Sequence, residues 1–201
     1  MKKTLLLICC LLTTTALCAQ TETPLAGTQR QEVIKKVTEA TTRIQSMQCQ
    51  FTQRKQSSML ADEVVSQGKM SYSRPDKLRW EYLSPEPFTL VVDGDSLTML
   101  DAAGKPNRNA NATRMVRGLT SMILGSINGD KLFDDRMFTT QIFDDGKHYR
   151  AEMTPRRKEM QRMFQKITFL FDKNSHTIST VVMTERKGDA TTIQFHHITI
   201  K

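Results

Sequence analysis

The spacing of apolar residues changes once in the first half of the chain. Upstream of residue 48 they recur about every three or four positions, at Val33, Ile34, Val37, Ala40, Ile44 and Met47. This spacing predicts one long amphipathic helix that begins at Gln29. Downstream the period becomes two, which is typical of strands with one buried face.

Alternation of apolar and polar residues recurs along most of the remaining chain. It is clearest in four runs, at Met70 and Tyr72, at Leu78, Trp80 and Tyr82, at Phe88, Leu90 and Val92, and at Ile167, Phe169 and Phe171. Turn signals separate such runs at Asp93-Gly94, Asp145-Gly146, Lys173-Asn174 and Lys187-Gly188-Asp189. Tight turns join antiparallel neighbours. We therefore expect an α+β fold with an antiparallel sheet of roughly nine to eleven strands, a number that tends to curl or close.

Two local features modify this sheet. Between residues 104 and 136 a helical period returns at Met115, Val116, Leu119, Met122, Ile123 and Ile127, with Gly118 and Gly125 inside it. The glycines either permit close packing or belong to a lid that shifts. In the last strand the apolar parity changes between Phe195 and Ile198, and a bulge near His196-His197 accounts for the change.

The first residues have the composition of a secretory signal. Lys2 and Lys3 precede a short apolar run and then small residues, which predicts a signal peptide at 1–19 that is cleaved after Ala19. Lipid attachment at Cys18 is the alternative. We expect residues 20–28 to form a flexible leader, residues 29–201 to form a single domain, and the product to be exported. Only Cys49 then remains, so no internal disulfide can form.

Composition narrows the function classes. The formal net charge of +8 is compatible with anionic lipid headgroups or acidic partners. Aromatic residues make up 6% of the chain and do not alternate with basic ones, which argues against nucleic acid. Motifs for nucleophilic, metal or phosphate chemistry are absent from the sequence, and the histidines fall in predicted strands or turns. We therefore expect neither an enzyme nor a metal or cofactor site.

Arg74 is an unusual residue for its position. It continues the apolar parity of Met70 and Tyr72, and Pro75 follows it. Proline biases the preceding residue toward an extended backbone, which fixes the direction of the arginine side chain. Arg74 either reaches water at the end of the strand or donates to backbone carbonyls of a covering helix, as a latch.

Three segments resemble the LolA family of outer-membrane lipoprotein carriers. They are QCQFTQRKQ at 48–56, GKMSYSRPDKLRWEY at 68–82 and FTLVVDGDSLTMLD at 88–101. The resemblance implies an incomplete antiparallel β-barrel whose concave apolar face is covered by the N-terminal helix and a mid-chain helical lid. It also implies a periplasmic carrier, expected to be monomeric. Such a carrier receives acylated lipoproteins from an inner-membrane ABC transporter and delivers them to the outer membrane, directly or through a receptor.

The resemblance also suggests site residues. Arg74 occupies the position of the family's lid latch, and Leu78 and Trp80 fall where the cavity wall lies. Further candidates for the acyl-chain cavity are Phe51, Met70, Tyr72, Leu90 and Met99, and those for the lid helix are Met115, Leu119, Met122 and Ile123. Two other functions stay open. They are a lipid-binding or sensor module that does not shuttle lipoproteins, and an interaction domain whose core is filled by its helices.

Overall fold

A computed structural model describes residues 22–58, 62–106 and 132–201 of the chain. These residues form two helices, α1 (Gly27–Thr42) and α2 (Lys158–Gln161). They also form ten strands: β1 (Ser46–Gln56), β2 (Val64–Ser73), β3 (Lys77–Ser84), β4 (Phe88–Asp93), β5 (Ser96–Leu100), β6 (Phe138–Asp144), β7 (His148–Pro155), β8 (Phe164–Asp172), β9 (Ile178–Glu185) and β10 (Ala190–Ile200).

All ten strands belong to one antiparallel sheet. Their order is β5-β4-β3-β2-β1-β10-β9-β8-β7-β6, so the first and last strands pair at the centre. Every other pair of adjacent strands is consecutive in sequence, and the consecutive strands β5 and β6 lie at opposite edges of the sheet. The sheet is open rather than closed, which confirms the prediction of an incomplete antiparallel barrel. The strand count lies within the predicted range, and the hairpin turns at Gly94, Gly146 and Gly188 have positive φ angles.

Helix α1 covers part of the sheet through Val33, Val37 and Thr41, all of which are buried. It ends earlier than the sequence predicts. The Thr41 hydroxyl donates to the Val37 carbonyl, and the chain leaves the helix after Thr42. Ile44 then lies in the connection and Met47 in β1. The prediction that both residues are helical was wrong. Their side chains pack against the same core as those of α1, so they keep a helix-like spacing although their backbone is not helical.

The N-terminal end of α1 also differs from the expectation. The helix begins at Gly27, so Gly27 and Thr28 belong to it rather than to the preceding segment. Before it, the Leu25 amide donates to the Ile142 carbonyl at 2.6 Å. Residue 25 is therefore attached to the edge strand β6.

The core lies on one face of the sheet, beneath α1. Inward-facing residues alternate with polar ones along the strands, as the period of two predicts. Those that are almost fully buried include Phe51, Tyr72, Ile142, Phe169 and Phe171. They belong to one contiguous apolar cluster with Val33 and Val37 of α1. The concave face is therefore the apolar face.

The predicted bulge in the last strand is confirmed. Gln48 pairs with Thr199 and Gln50 pairs with His196, so two residues of β10 face Cys49. His197 has a φ angle of +50° at this point. The bulge lets Ile193 and Ile198, which differ in parity, both pack with the core.

Several predictions concern residues outside the described ranges. These are the signal peptide at 1–19 and the mid-chain helix with Met115, Leu119, Met122 and Ile123. Among the residues that the structure does describe, neither helix is long and apolar enough to cross a membrane.

Candidate binding site

A cleft of about 420 Å³ opens on the concave face between β1–β4 and β8–β10. Strand β3 supplies Leu78, Trp80 and Tyr82 to it. The other apolar lining residues are Val64, Pro85, Phe88, Leu90, Phe164, Met183 and Ile193, and the polar ones are Gln53, Lys55, Ser66, Glu86, Glu185 and Thr191. Its mouth faces the end of the sheet where β2, β8 and β10 begin. The charged lining residues Lys55, Glu86 and Glu185 lie at this end.

Aromatic rings form the floor of the cleft. The ring centroids of Phe51 and Trp80 are 4.4 Å apart, and those of Tyr82 and Phe88 are stacked at 4.3 Å. Phe51 also meets Tyr82 edge to face at 5.2 Å. Offset and edge-to-face pairs add stability beyond the area that they bury. The floor is therefore formed by rings of β3 and β4, and the buried ring of Phe51 on β1 supports them from the core.

Few polar groups interrupt this surface. The Tyr82 hydroxyl donates to the Gln53 amide oxygen at 2.8 Å, and burial raises the pKa of Tyr82 to about 12. The indole Nε1 of Trp80 is buried and makes no hydrogen bond of ordinary geometry with a described residue, although it lies near enough to the Tyr82 hydroxyl to oppose slightly the rise that burial causes in the pKa of Tyr82. Because ten of the sixteen lining residues are apolar and the charged ones lie at the mouth, the interior of the cleft is suited to an apolar ligand.

The structure divides the sequence-predicted cavity residues into two groups. Leu78, Trp80 and Leu90 line the cleft. Phe51, Met70 and Tyr72 are buried in the core on the same face and do not line it. Met99 of β5 is half-buried and packs against this core. The predicted lid residues lie outside the described ranges.

The far wall of the cleft contains residues that sequence reasoning did not select. Phe164, Met183 and Ile193 come from β8, β9 and β10, and they reach the cleft because β10 pairs with β1. Tyr82 and Phe88 were detectable from the same parity as Trp80 and Leu90. The sequence around Phe164 and Ile193 does not indicate which distant strands these residues face.

Arg74 lies in the turn between β2 and β3, at the end of the sheet opposite the cleft mouth. Its Nε donates to the carbonyl of Ile44 at 3.1 Å, and its backbone amide donates to the carbonyl of Gln45 at 2.9 Å. Both acceptors belong to the connection that follows α1. Half-buried Arg74 therefore ties the end of the covering helix to the sheet.

Within the described ranges, no three histidine, cysteine, aspartate or glutamate side chains converge as metal ligands do. Burial raises the pKa of the Cys49 thiol to about 12, so the thiol is protonated at neutral pH and is a poor nucleophile. What the described residues provide is an apolar binding surface.

Comparisons with known proteins agree with this architecture. A search of curated protein sequences finds no significant match. Among solved structures, MucB is similar with a TM-score of 0.53 and 13% identity, over 87% of this chain and 60% of that chain. The Pseudomonas aeruginosa MucA/MucB complex gives a TM-score of 0.50 and 15% identity, over 85% of this chain and 56% of that chain.

A third solved structure is that of a LolA superfamily protein from Nitrosomonas europaea. It has a TM-score of 0.47 and 13% identity, over 85% of this chain and 93% of that chain. The family model described as outer membrane lipoprotein carrier protein LolA matches residues 42–201, which include all ten strands. The chain therefore belongs to the LolA family.

Proposed function

We propose that this protein is a periplasmic carrier that binds the acyl chains of lipoproteins and transfers them to the outer membrane. The observation that carries the proposal is the apolar cleft of about 420 Å³ on the concave face of a LolA-family sheet. In this proposal an inner-membrane ABC transporter loads the cargo, and delivery is direct or through an outer-membrane receptor. The carrier acts as a monomer after export, and it binds its cargo without catalysing a reaction.

The energetics of acyl chains explain why such a carrier needs an apolar cleft. Each methylene moved from water into an apolar surrounding gains about 0.8 kcal/mol. A lipoprotein with two or three acyl chains therefore does not cross an aqueous compartment unaided. The rings of Trp80, Tyr82 and Phe88 and the side chains of Leu78 and Leu90 offer a preformed apolar surface to those chains.

Release requires that the empty protein has a stable state of its own. We propose that Arg74 contributes to that state as a latch, through its hydrogen bond to the Ile44 carbonyl beside α1. A closed empty state weakens the apparent affinity for cargo in proportion to its population. The latch then favours release without a direct contact between Arg74 and the cleft.

The test is release of lipoprotein from spheroplasts. The purified protein should remove a triacylated lipoprotein and appear with it in a soluble complex. Phe88→Asp, which places a carboxylate in the cleft, should abolish that complex. Phe143→Asp is a matched control because Phe143 is also half-buried but lies on β6, away from the cleft. Release that is the same with and without the protein would falsify the carrier assignment.

A second candidate is a lipid-binding or sensor module that does not shuttle lipoproteins. The similarity to MucB, which has been solved in complex with MucA, supports this candidate. The two candidates differ in the second half of the assay. A carrier transfers its lipoprotein to added outer membranes, whereas a sensor module retains the lipid when the membranes are added.

A further inference from the structure

We propose that the end of the sheet around the cleft mouth docks on an anionic lipid surface, with the cleft facing the bilayer. This inference depends on the proposed function, because it assigns a purpose to the position of an acyl-binding cleft. The inference is based on the charged residues and the exposed apolar residues at this end of the sheet.

The first observation is a basic patch beside the cleft mouth. It consists of Arg156, Arg157, Lys158, Arg162, Arg186 and Lys187, all exposed. Helix α2 and its flanking residues supply four of these cations, and the β9–β10 hairpin supplies two. Hydrogen bonds join the two elements, since the Arg186 amide and its Nε donate to the carbonyls of Met163 and Gln161. The patch is therefore one continuous surface.

The charges of this patch are not neutralised locally. None of its six cations forms an ion pair with another described residue. The Asp134 carboxylate close to Arg157 is held by Arg136. Asp189 of the hairpin accepts hydrogen bonds from Ser57 and Ser58. Asp189 remains charged, so the carboxylates of Glu159, Glu185 and Asp189 leave a formal excess of three positive charges.

The second observation is the position of exposed apolar residues. Of the large apolar side chains in the described ranges, four are exposed, and three of them lie at this end of the sheet: Val64 and Val65 at the start of β2, and Leu83 near the end of β3. Leu83 is 56% exposed. The cleft opens between Val64 and Phe164, which both line it, whereas Val65 and Leu83 lie at the same end of the sheet but do not line the cleft.

The combination favours a lipid surface over an acidic protein. Cations spread over two elements attract phosphate headgroups without a fixed geometry, and each strengthens binding to an anionic membrane about fivefold. The exposed apolar residues at the same end of the sheet can enter the boundary between headgroups and acyl chains. In that orientation an acyl chain leaves the bilayer into the cleft without crossing water.

The experiment measures binding of the unloaded protein to vesicles by sedimentation. The vesicles contain phosphatidylcholine with about one quarter phosphatidylglycerol, or phosphatidylcholine alone. The protein should bind only the anionic vesicles, and less as salt rises. The triple variant Arg157→Gln, Lys158→Gln, Lys187→Gln should lose binding on the order of a hundredfold.

The control removes the same charge from the opposite end of the sheet. It is Arg43→Gln, Lys147→Gln, Lys201→Gln, and each of these residues is exposed. Equal losses in both triple variants, or binding of the wild-type protein to neither vesicle, would overturn the proposal. Binding of the patch to an acidic protein but not to anionic vesicles would overturn it in favour of a protein partner.

A separate measurement distinguishes this inference from the proposed function. Loading of a detergent-dispersed acylated peptide involves no membrane, so the patch variant should load as well as the wild-type protein. If the wild-type protein does not load the peptide, the proposed function fails. If it loads the peptide but does not bind vesicles, only the docking inference fails.

Discussion

The ring of Phe51 lies against Gly68, its partner across the β1–β2 pair. A Cβ atom at position 68 would be 2.3 Å from Cζ of Phe51 and 2.1 Å from the backbone oxygen of Glu81. Both distances are far below van der Waals contact. Glycine therefore leaves room for the Phe51 ring, which packs against Trp80 at an interplanar angle of 36° and supports the aromatic floor of the cleft.

We predict that Gly68→Ala destabilises the protein and disturbs the cleft. The added methyl group collides with a strand backbone, which cannot move as a side chain can, so the free energy of unfolding should fall by about 3 kcal/mol. Urea denaturation followed by circular dichroism measures this change. Gln67→Ala at the exposed neighbouring position is the control, with a change within about 0.5 kcal/mol. Equal effects of the two substitutions would show that position 68 tolerates a side chain.

A second prediction concerns the indole nitrogen of Trp80. A buried donor without a partner costs about 1–3 kcal/mol, and Trp80→Phe removes that donor while keeping an aromatic ring. The loss of packing and the removal of the donor should nearly cancel, leaving the free energy of unfolding within about 1 kcal/mol of wild type. Trp80→Ala should cost about 3–5 kcal/mol.

Thermal denaturation of the two variants, followed by circular dichroism, makes this comparison. Fluorescence does not serve, because Trp80 is the only tryptophan in the chain. A loss in Trp80→Phe as large as in Trp80→Ala would contradict the prediction and would indicate that Nε1 makes a stabilising hydrogen bond in solution.

The strands were predictable because their signal is local. Alternation identified Leu78, Trp80 and Leu90 as inward-facing, and glycine turns located the hairpins. The end of α1 was not predictable in the same way, because Ile44 and Met47 keep a helical spacing while lying outside the helix. Their side chains pack against the same core as α1, so their apolar spacing matches that of a helix although their backbone is not helical.

The far wall of the cleft depends on a pairing that local pattern does not encode. Residue Phe51 pairs with Phe195, so the two ends of the domain meet at the centre of the sheet. This pairing brings Ile193 beside the cleft wall formed by β3. Similarly, the acceptor of Arg74 is Ile44, a residue thirty positions earlier in the chain, and no spacing rule identifies it.

A third prediction follows from the buried thiol of Cys49. Its pKa rises from 9.0 to about 12 on folding because burial penalises the thiolate. Below pH 9 the thiol is protonated in both the folded and the unfolded chain. Above that pH the unfolded chain releases the proton first, so stability falls as pH rises from about 9 to about 12, by at most about 1.4 kcal/mol per pH unit.

The slope is measured by urea denaturation under reducing conditions from about pH 8.5 to about pH 11, which covers most of this window. Cys49→Ala should flatten it. Tyr82, whose pKa is raised from 10.0 to about 12 by burial, keeps its own alkaline contribution in that variant. An unchanged slope would mean that the folded protein ionises Cys49 as easily as the unfolded chain does.

The last prediction separates the proposed role of Arg74 in release from a role in folding. Arg74→Leu removes the hydrogen bond from Nε to the Ile44 carbonyl, and a net loss of about 1 kcal/mol in the free energy of unfolding is expected. Arg74→Lys keeps the charge but loses the planar donor group, so it should resemble Arg74→Leu. If Arg74 is a latch, the empty closed state loses population in both variants, and cargo is retained more tightly.

Transfer of bound lipoprotein to outer membranes should then slow at least about tenfold, while loading from spheroplasts persists. A tenfold change is more than a stability change of about 1 kcal/mol explains. Wild-type transfer rates in two variants that are both destabilised would assign Arg74 a purely structural role at the α1–β1 connection.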